Sequence, residues 1–134
     1  CITEYTNFRI INNKNMYDNA IEAAEQSKRL DIPKIENQVN LKLLLSKWPI
    51  DRKLIYCDEK INHEESIINK LLSSKEYNNK WGVLIGPEGG FSDLEKEIIL
   101  QNKNVIAVSL GKRLLRSDTA ITVSLFCVQE LLTK

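Results

Sequence analysis

Two short, almost uninterrupted apolar runs, at residues 81–85 and 105–110, constrain the fold of this chain more than any other feature of its sequence. Strands with one solvated face alternate apolar and polar residues, so runs of this kind indicate strands that are buried on both faces. A loop and then a helical pattern follow each run. Alternation of such strands with helices predicts an α/β fold with a mostly parallel sheet and helices on both faces.

Weaker patterns complete the predicted order β-α-α-β-α-β-α-β-α. Ser92 and Glu95 form the signature of a capping box, so one helix is expected to run from Ser92 to about Asn102. The last helix is expected to start at a cap formed by Ser117 or Asp118. The other predicted elements are strands at residues 2–8 (with an edge at 10–11), 53–57, 81–85 and 105–110, helices at 15–30, 40–48, 61–72 and 119–132, and a polar linker at 73–80.

Apolar residues at helical spacing also predict which helix faces are buried. The expected inward residues of the first helix are Met16, Ala20, Ala23, Ala24 and Ser27; those of the helix at 61–72 are Ile61, Ile67, Ile68, Leu71 and Leu72; those of the last helix are Ile121, Leu125, Val128 and Leu132.

The length and composition predict one domain that spans residues 1–134. The chain is 43% hydrophobic and 28% charged, which is ordinary for a globular protein. No stretch approaches the roughly 18 consecutive apolar residues that a membrane span requires, and no signal peptide is visible, so a cytoplasmic protein without membrane contact is expected. The 3 cysteines are scattered and predict neither a disulfide framework nor a metal site.

Several function classes find no support in the residues. His63 has no partner at ligand spacing, so neither a metal site nor a Ser/His/Asp hydrolase is predicted. Trp48 and Trp81 are expected to pack in the core rather than to stack on bases. The formal net charge of +1 gives no strong footprint of nucleic-acid binding. An RNA-binding function therefore has to rest on local charge, or on a part of the protein outside this chain.

Ligands of open α/β sheets bind beyond the carboxyl ends of the strands, which here are residues 56–59, 86–90 and 110–116. The loop at 86–90 holds three glycines and Pro87 directly after a buried strand. Glycine permits a close backbone approach to a ligand, while a sharp turn into the next helix would need the same residues. The loop lacks the pattern of a phosphate-binding loop, and Glu88 would repel a phosphate.

The loop at 110–119 combines cations with apolar residues before a helix. Lys112, Arg113 and Arg116 suit contacts with phosphate, and Leu114 and Leu115 suit contacts with an apolar ligand face. The alternative is a solvated loop whose following acidic residue only caps the helix.

Taken together, three segments resemble one family closely. These are Ile85-Gly86-Pro87-Glu88-Gly89-Gly90-Phe91-Ser92, then Val108-Ser109-Leu110-Gly111-Lys112-Arg113-Leu114-Leu115-Arg116-Ser117-Asp118-Thr119-Ala120, and upstream Ala23-Ala24-Glu25-Gln26-Ser27. The chain is similar to the bacterial small-subunit ribosomal RNA (uracil-N3)-methyltransferases, which belong to the SPOUT class of knotted methyltransferases. The similarity covers nearly the whole chain and is most specific from Trp81 to Leu132.

The resemblance implies a C-terminal trefoil knot, a homodimer and the cofactor S-adenosylmethionine (SAM), which backbone groups of three loops hold. It also implies an N-terminal barrel that helps to bind ribosomal RNA. We expect that barrel and the first strand–helix unit to lie outside this chain, which begins without Met. By position, the cofactor-binding residues are Tyr56, Ile85, Gly86, Pro87, Gly89, Gly90, Leu110, Gly111, Leu114 and Leu115.

The implied reaction is SAM-dependent methylation of N3 of a uridine in small-subunit ribosomal RNA. Arg116 and Arg29 are the candidates for stabilising the uracil anion or binding phosphate. Glu88 and Asp118 are the candidates for orienting the substrate or accepting its proton; Asp118 stands where many members have Glu. No metal is expected. Two alternatives are a knotted module that binds RNA or dimerises without catalysis, and a metabolic enzyme on an ordinary α/β sheet.

Overall fold

The computed structural model describes residues 1–6, 12–73 and 80–132, without the side chain of His63. Its centre is a parallel sheet of three strands, β1 (Lys53–Cys57), β2 (Trp81–Ile85) and β3 (Val105–Val108), in the order β2-β1-β3. Two of these strands have the predicted bounds. The predicted run at 105–110 is paired in the sheet only as far as Val108, because Ser109 pairs with Ser66 instead.

The middle of β1 is buried on both faces of the strand. Leu54, Ile55 and Tyr56 are between 0% and 2% exposed. Since successive side chains of a strand point to opposite faces, Leu54 and Tyr56 enter one hydrophobic cluster and Ile55 enters another. The first cluster includes Leu41, Leu45, Leu84, Phe91 and Ile99, and the second includes Ile67, Leu71, Val108 and Leu132.

The described part of the chain also contains five α-helices. They are α1 (Asn13–Gln26), α2 (Leu41–Ser46), α3 (Ile67–Ser73), α4 (Asp93–Gln101) and α5 (Ser117–Leu132), and a short 3-10 helix spans His63–Glu65. None of the helices in the described ranges is long and apolar enough to cross a membrane.

Local hydrogen bonds explain where α1 and α4 start and end. The Asn12 side chain accepts the N–H groups of Lys14 and Asn15, so α1 begins two residues before its predicted start. Lys28 adopts a left-handed φ of 56° two residues beyond α1, which is where the predicted helix to residue 30 fails. The capping box of Ser92 and Glu95 is present at the start of α4 as predicted.

The predicted helix at 61–72 is broken by a pairing with the end of β3. Ser109 donates its N–H to the carbonyl of Glu65 (2.9 Å) and accepts the N–H of Ile67 (3.0 Å). Those backbone groups are therefore used outside a helical ladder, and Ser66 is extended. The result is the 3-10 helix followed by α3, of which Ile67 and Leu71 are buried while Ile68 and Leu72 are exposed.

The predicted strand at 2–8 is wrong for its described part, residues 2–6. Ile2 makes one parallel bridge with Asn40, and the chain then turns back on itself. Thr6 donates its N–H to the Thr3 carbonyl at 3.2 Å, and its hydroxyl accepts the Thr3 N–H at 3.0 Å. These bonds replace those of a strand. Phe8, the predicted edge at 10–11 and most of the predicted linker at 73–80 lie outside the described residues.

The buried faces of α1 and α5 differ from the predicted ones. Only Ala24 is buried on α1. On α5, Leu132 is buried and Val128 packs against the second cluster as expected, but Ile121 and Leu125 are exposed. Small residues take their place, because Ala120 and Ser124 allow α5 to lie close to its neighbours.

Candidate functional site

The loops that follow the three strands enclose a cavity of about 980 Å³. Its walls are residues 57–60 after β1, residues 85–93 after β2 and residues 110–117 after β3, together with Tyr5, Lys96 and Ala120. Parallel strands bring their carboxyl ends to the same edge of a sheet, so the cavity lies where ligands of α/β folds bind.

The loop after β2 needs glycine at two positions for different reasons. Gly90 has a φ of +70°, which side chains rarely adopt, and its N–H bonds to the Pro87 carbonyl at 2.8 Å. A Cβ atom at Gly86 would lie 3.0 Å from Cε2 of the buried Phe91. The loop therefore presents backbone to the cavity, with Glu88 as its exposed carboxylate.

A hydrogen bond fixes the first residues of the loop after β3, and most of the following residues are exposed to solvent. The Ser109 hydroxyl accepts the N–H of Gly111 at 3.2 Å, and Gly111 has a φ of +116°. Among the residues that the structure describes, none beyond the immediate chain neighbours has a heavy atom within 4 Å of an ideal Cβ position at Gly111. The cations Lys112, Arg113 and Arg116 that follow are exposed, so they are available to an anionic ligand.

A hydrogen bond of Ser117 joins the two loops. Its hydroxyl donates to the Gly86 carbonyl at 3.1 Å. Ser117 or Asp118 was predicted as the cap that precedes the last helix. Both residues instead lie within α5, which begins at Ser117, and the Arg116 carbonyl accepts the Ala120 N–H. The Ser117 side chain is used between loops rather than as a cap.

Asp58 forms a buried polar cluster at the end of β1. Its Oδ2 accepts the Tyr56 hydroxyl at 2.5 Å and lies 3.0 Å from Nζ of Lys96, while its Oδ1 accepts the Lys60 N–H at 3.0 Å. The side chains of Asp58 and Lys96 are only 10% and 19% exposed. The opposite charge of Lys96 and the hydrogen bonds from Tyr56 and Lys60 thus compensate the buried Asp58 carboxylate, as a buried charge requires.

Burial and hydrogen bonding act in opposite directions on this cluster. Burial alone would raise the pKa of Asp58, but the bonds from Lys60 and Tyr56 and the charge of Lys96 outweigh it, so the pKa of the carboxyl is lowered. Burial and then the Asp58 carboxylate raise the pKa of Tyr56, which keeps its hydroxyl a donor. Burial also raises the pKa of the nearby Cys57 thiol to about 12, so it is not a nucleophile at neutral pH.

The structure brings most of the predicted cofactor-binding residues together. Tyr56 is the exception, because it does not line the cavity; its ring is buried against Phe91, with the ring centroids 5.6 Å apart. The residues that line the cavity as expected are Ile85, Gly86, Pro87, Gly89, Gly90, Leu110, Gly111, Leu114 and Leu115.

The four predicted catalytic residues divide into two pairs. Glu88 and Arg116 line the cavity, whereas Arg29 and Asp118 do not. The Arg29 guanidinium is exposed beyond α1 and pairs with Asp31 at 2.9 Å. Asp118 lies 3.9 Å from Arg116 and accepts the N–H of Thr119, so it contacts the cavity only through that arginine.

Several residues of the cavity were not predicted as site residues, among them Lys96, Ser117 and Tyr5. Lys96 lies in the helix predicted at 92–102 and belongs to no motif, and Ser117 was predicted only as a cap. Tyr5 lies in a segment predicted as a strand, and its contact with the cavity depends on residues far along the chain. Asp58 at the end of β1 could have indicated that a cation such as Lys96 lies at the site, because a buried carboxylate requires a compensating charge. In the described residues, no group of three or more His, Cys, Asp or Glu is placed to hold a metal.

The Asp58 cluster predicts a stability that depends on pH. Asp58→Asn should lower the free energy of unfolding near neutral pH by about 1–3 kcal/mol, because Lys96 and Tyr56 lose their charged acceptor. The pKa of Asp58 is lowered on folding, so its contribution is present above the unfolded pKa of about 4 and is lost as the pH falls through the lower folded value. Urea unfolding of parent and variant at a series of pH values measures the difference, which should shrink below about pH 4.

Asp51→Asn is the matched control, since Asp51 pairs with Lys80 at the exposed surface. It should cost less stability than Asp58→Asn at neutral pH. An equal loss in the two variants would contradict a special role of the buried pair.

Known proteins resemble this chain in sequence and in fold. Ribosomal RNA small subunit methyltransferase E of Rickettsia conorii is 36% identical over 119 residues, which are 89% of this chain and 47% of that protein. A structure from Legionella pneumophila, described as a methyltransferase in complex with bound SAM, is 26% identical with a TM-score of 0.72 and matches 96% of this chain and 52% of its own. Ribosomal RNA small subunit methyltransferase E of Neisseria gonorrhoeae, bound to SAM, is 24% identical with a TM-score of 0.74 over 94% of this chain and 52% of its own, which shows a shared fold.

The chain spans about half the length of the curated relatives it matches. The family model of the RNA methyltransferase domain matches residues 1–129. With the α/β fold and the cavity at its strand ends, this match over nearly the whole sequence shows that the chain belongs to the family of RNA methyltransferase domains.

Proposed function

We propose that this chain is the SAM-binding domain, spanning residues 1–134, of an enzyme that methylates N3 of a uridine in small-subunit ribosomal RNA. The observation that carries the proposal is the cavity of about 980 Å³, which three strand-end loops line with glycines, apolar side chains and charged side chains. Relatives with matching sequence are named as small-subunit ribosomal RNA methyltransferases, and they are about twice as long as this chain. The proposal therefore assigns the cofactor half of the reaction to this domain.

The residues present fit SAM. The cavity has the size of a small-molecule site, and Ile85, Leu110 and Leu115 offer apolar contacts to a flat ring. Open space lies around the ideal Cβ positions of Gly90 and Gly111, so a ligand can approach the backbone closely at both. When bound, SAM supplies an electrophilic methyl group.

The exposed groups of the cavity suit a uracil substrate. The N3 atom of uracil carries a proton that must leave for N3 to act as a nucleophile. Arg116 lines the cavity and is the candidate that would stabilise the resulting anion, with Asp118 3.9 Å from its guanidinium. Glu88, an exposed carboxylate of the cavity wall, is the candidate to accept the proton. Arg29, which is exposed and outside the cavity, is better placed to contact an RNA phosphate.

The proposal includes the knot and helices on both faces of the sheet. The two clusters on opposite faces of β1 support the second feature, because each contains residues of helices. The bond from Ser117 to Gly86 supports the first, since it holds the segment after β3 against the loop after β2.

We also propose a homodimer that uses α5. Ile121, Leu125 and Phe126 are 45%, 52% and 65% exposed, so this helix presents apolar side chains that the described part of the chain does not cover. Apolar groups clustered on a surface are typical of an interaction site.

Substitution of Gly111 tests the cofactor site. Gly111→Val should weaken SAM binding about tenfold or more, because a β-branched residue is strained at this φ and its side chain adds bulk beside the cavity. Calorimetric titration with SAM measures the affinity. Lys103→Val, in the exposed loop before β3, is the control and should bind like the parent. A folded Gly111→Val protein with parental affinity would show that the site is misplaced, and a parent that binds no SAM would defeat the proposed function.

Substitution of Arg116 tests the catalytic assignment. Arg116→Ala should lower the rate of methyl transfer about 10²-fold, because a developing negative charge loses its stabilising cation, while SAM affinity stays unchanged. The assay follows methylation of small-subunit ribosomal RNA by this chain extended with the N-terminal part of a relative. Arg52→Ala, just before β1 and at the opposite end of that strand from the cavity, is the control. An unaltered rate in Arg116→Ala would remove this residue from the mechanism.

The oligomeric state tests the dimer. The parent should be a dimer by light scattering at micromolar concentration, and Leu125→Glu should be a monomer because it places a charge in an apolar interface. Leu100→Glu on α4, which replaces a leucine of similar exposure, should leave the dimer intact. A monomeric parent would contradict the dimer for this chain.

A further inference from the structure

A turn near the start of the chain contributes a wall to the cavity. Tyr5 lines the cavity beside the loop after β2, although it precedes that loop by about eighty residues of sequence. Backbone bonds from Ile2 to Val39 (2.8 Å) and from Leu41 to Ile2 (3.0 Å) fix the chain just before the turn. Tyr5 therefore belongs to a positioned segment.

The turn is also closed on itself. The hydroxyls of Thr3 and Thr6 lie 2.8 Å apart, and Thr3 is only 7% exposed. The Thr6 N–H also bonds to the Thr3 carbonyl and the Thr3 N–H to the Thr6 hydroxyl, so the turn is held closed, and Glu4 and Tyr5 form its tip.

The Glu95 carboxylate ties the turn tip to the cavity wall. One of its oxygens accepts the Glu4 N–H at 2.8 Å, and the other accepts the Ser92 N–H at 3.0 Å in the capping box of α4. The same side chain thus fixes the start of α4 and the position of Tyr5. Glu95 is a positioning residue for this turn.

Gly89 receives Tyr5 at the glycine loop. An ideal Cβ at Gly89 would lie 3.0 Å from the Cβ of Tyr5 and 3.6 Å from its Cγ, so the absence of a side chain there allows this close approach. Tyr5 is nevertheless 50% exposed. Within the described ranges the one pair of packed aromatic rings is Tyr56 with Phe91, so Tyr5 has no ring partner there.

We propose that Tyr5 is a base-stacking residue that binds a nucleobase of the RNA at the mouth of the cavity. The proposal rests on the proposed function, because it deepens the same site. A half-exposed tyrosine offers a flat apolar surface of the kind on which RNA-binding proteins stack unpaired bases. Lys112, Arg113 and Arg116 line the same cavity and are exposed, so phosphates of the same strand have cations to meet.

The test compares ring-retaining and ring-removing variants of this chain. Tyr5→Leu should weaken binding of a uridine-containing single-stranded RNA of about ten nucleotides by roughly tenfold, and Tyr5→Phe should stay within about twofold of the parent. Tyr17→Leu is the matched control, because Tyr17 lies on α1 with a similar exposure of 47% and does not line the cavity. Fluorescence anisotropy measures RNA affinity, and calorimetry measures SAM affinity for the same variants.

A photocrosslink gives a second measurement that does not depend on folding of a variant. With 5-iodouridine in the RNA, ultraviolet irradiation of the parent should attach the RNA to the peptide that contains Tyr5, as identified by mass spectrometry. RNA affinity that is equal in Tyr5→Leu and the parent, or a crosslink only at other residues, would overturn the proposal.

The remaining outcomes are also decisive. A loss of SAM affinity in Tyr5→Leu with unchanged RNA affinity would assign the ring to the adenine and overturn the proposal for RNA. A parent that binds SAM but no RNA would overturn the stacking role and leave the cofactor site standing. A parent that binds RNA through Tyr5 but binds no SAM would overturn the cofactor site and leave the stacking role standing. The two proposals therefore fail separately.

Discussion

The burial of β1 on both faces, with hydrogen bonds along both of its edges, is the constraint on which the rest of the structure depends. Leu54, Ile55 and Tyr56 are almost inaccessible to water, and each pairs with β2 and with β3. With both edges paired and both faces packed, β1 can present groups to a ligand only at its ends, and the cavity lies at its carboxyl end. Asp58 leaves the sheet there, already oriented by the buried Tyr56 hydroxyl, and the flanking strands deliver their loops to the same edge.

The sheet determines where the cavity lies, and polar interactions between distant segments determine its shape. Asp58 holds Lys96 of α4, Ser117 of α5 holds the Gly86 carbonyl, and Glu95 holds the turn that carries Tyr5. Each bond joins a different pair of walls, so the three together fix the loops relative to one another. Loops that carry glycine at Gly90 and Gly111 would otherwise lose more conformational freedom on binding a ligand. The side chains of Asp58, Ser117 and Glu95 therefore restrict the conformations of the loops that the glycines alone would leave flexible.

The sequence predicted the parts of the fold that local pattern controls and missed those that depend on distant contacts. The bounds of β1 and β2 and the capping box of α4 were predicted correctly, because apolar runs and a Ser–Glu spacing contain the necessary information. The break before α3 was not predictable, because it exists only where Ser109 pairs with Ser66. Tyr5 was missed for the same reason, since the bond that places its turn joins residues 91 positions apart. Family resemblance pointed to the loops that line the cavity, but it could not show that the Tyr56 ring is buried and that Arg29 lies outside the cavity.

The charges of the site are divided by burial in a way that suits two different ligands. The Asp58–Lys96 pair is neutral overall and nearly closed to water, so its contribution is little screened by salt. Lys112, Arg113 and Arg116 are exposed, and Arg116 is only loosely held by Asp118 at 3.9 Å. Exposed charges of this kind are screened by salt and add little to the stability of the fold, and they are accessible to a phosphate. A nearly buried, neutral ion pair beside the cavity and exposed cations along its wall are the arrangement that the proposed function uses, with backbone and apolar groups for the cofactor and cations for the RNA.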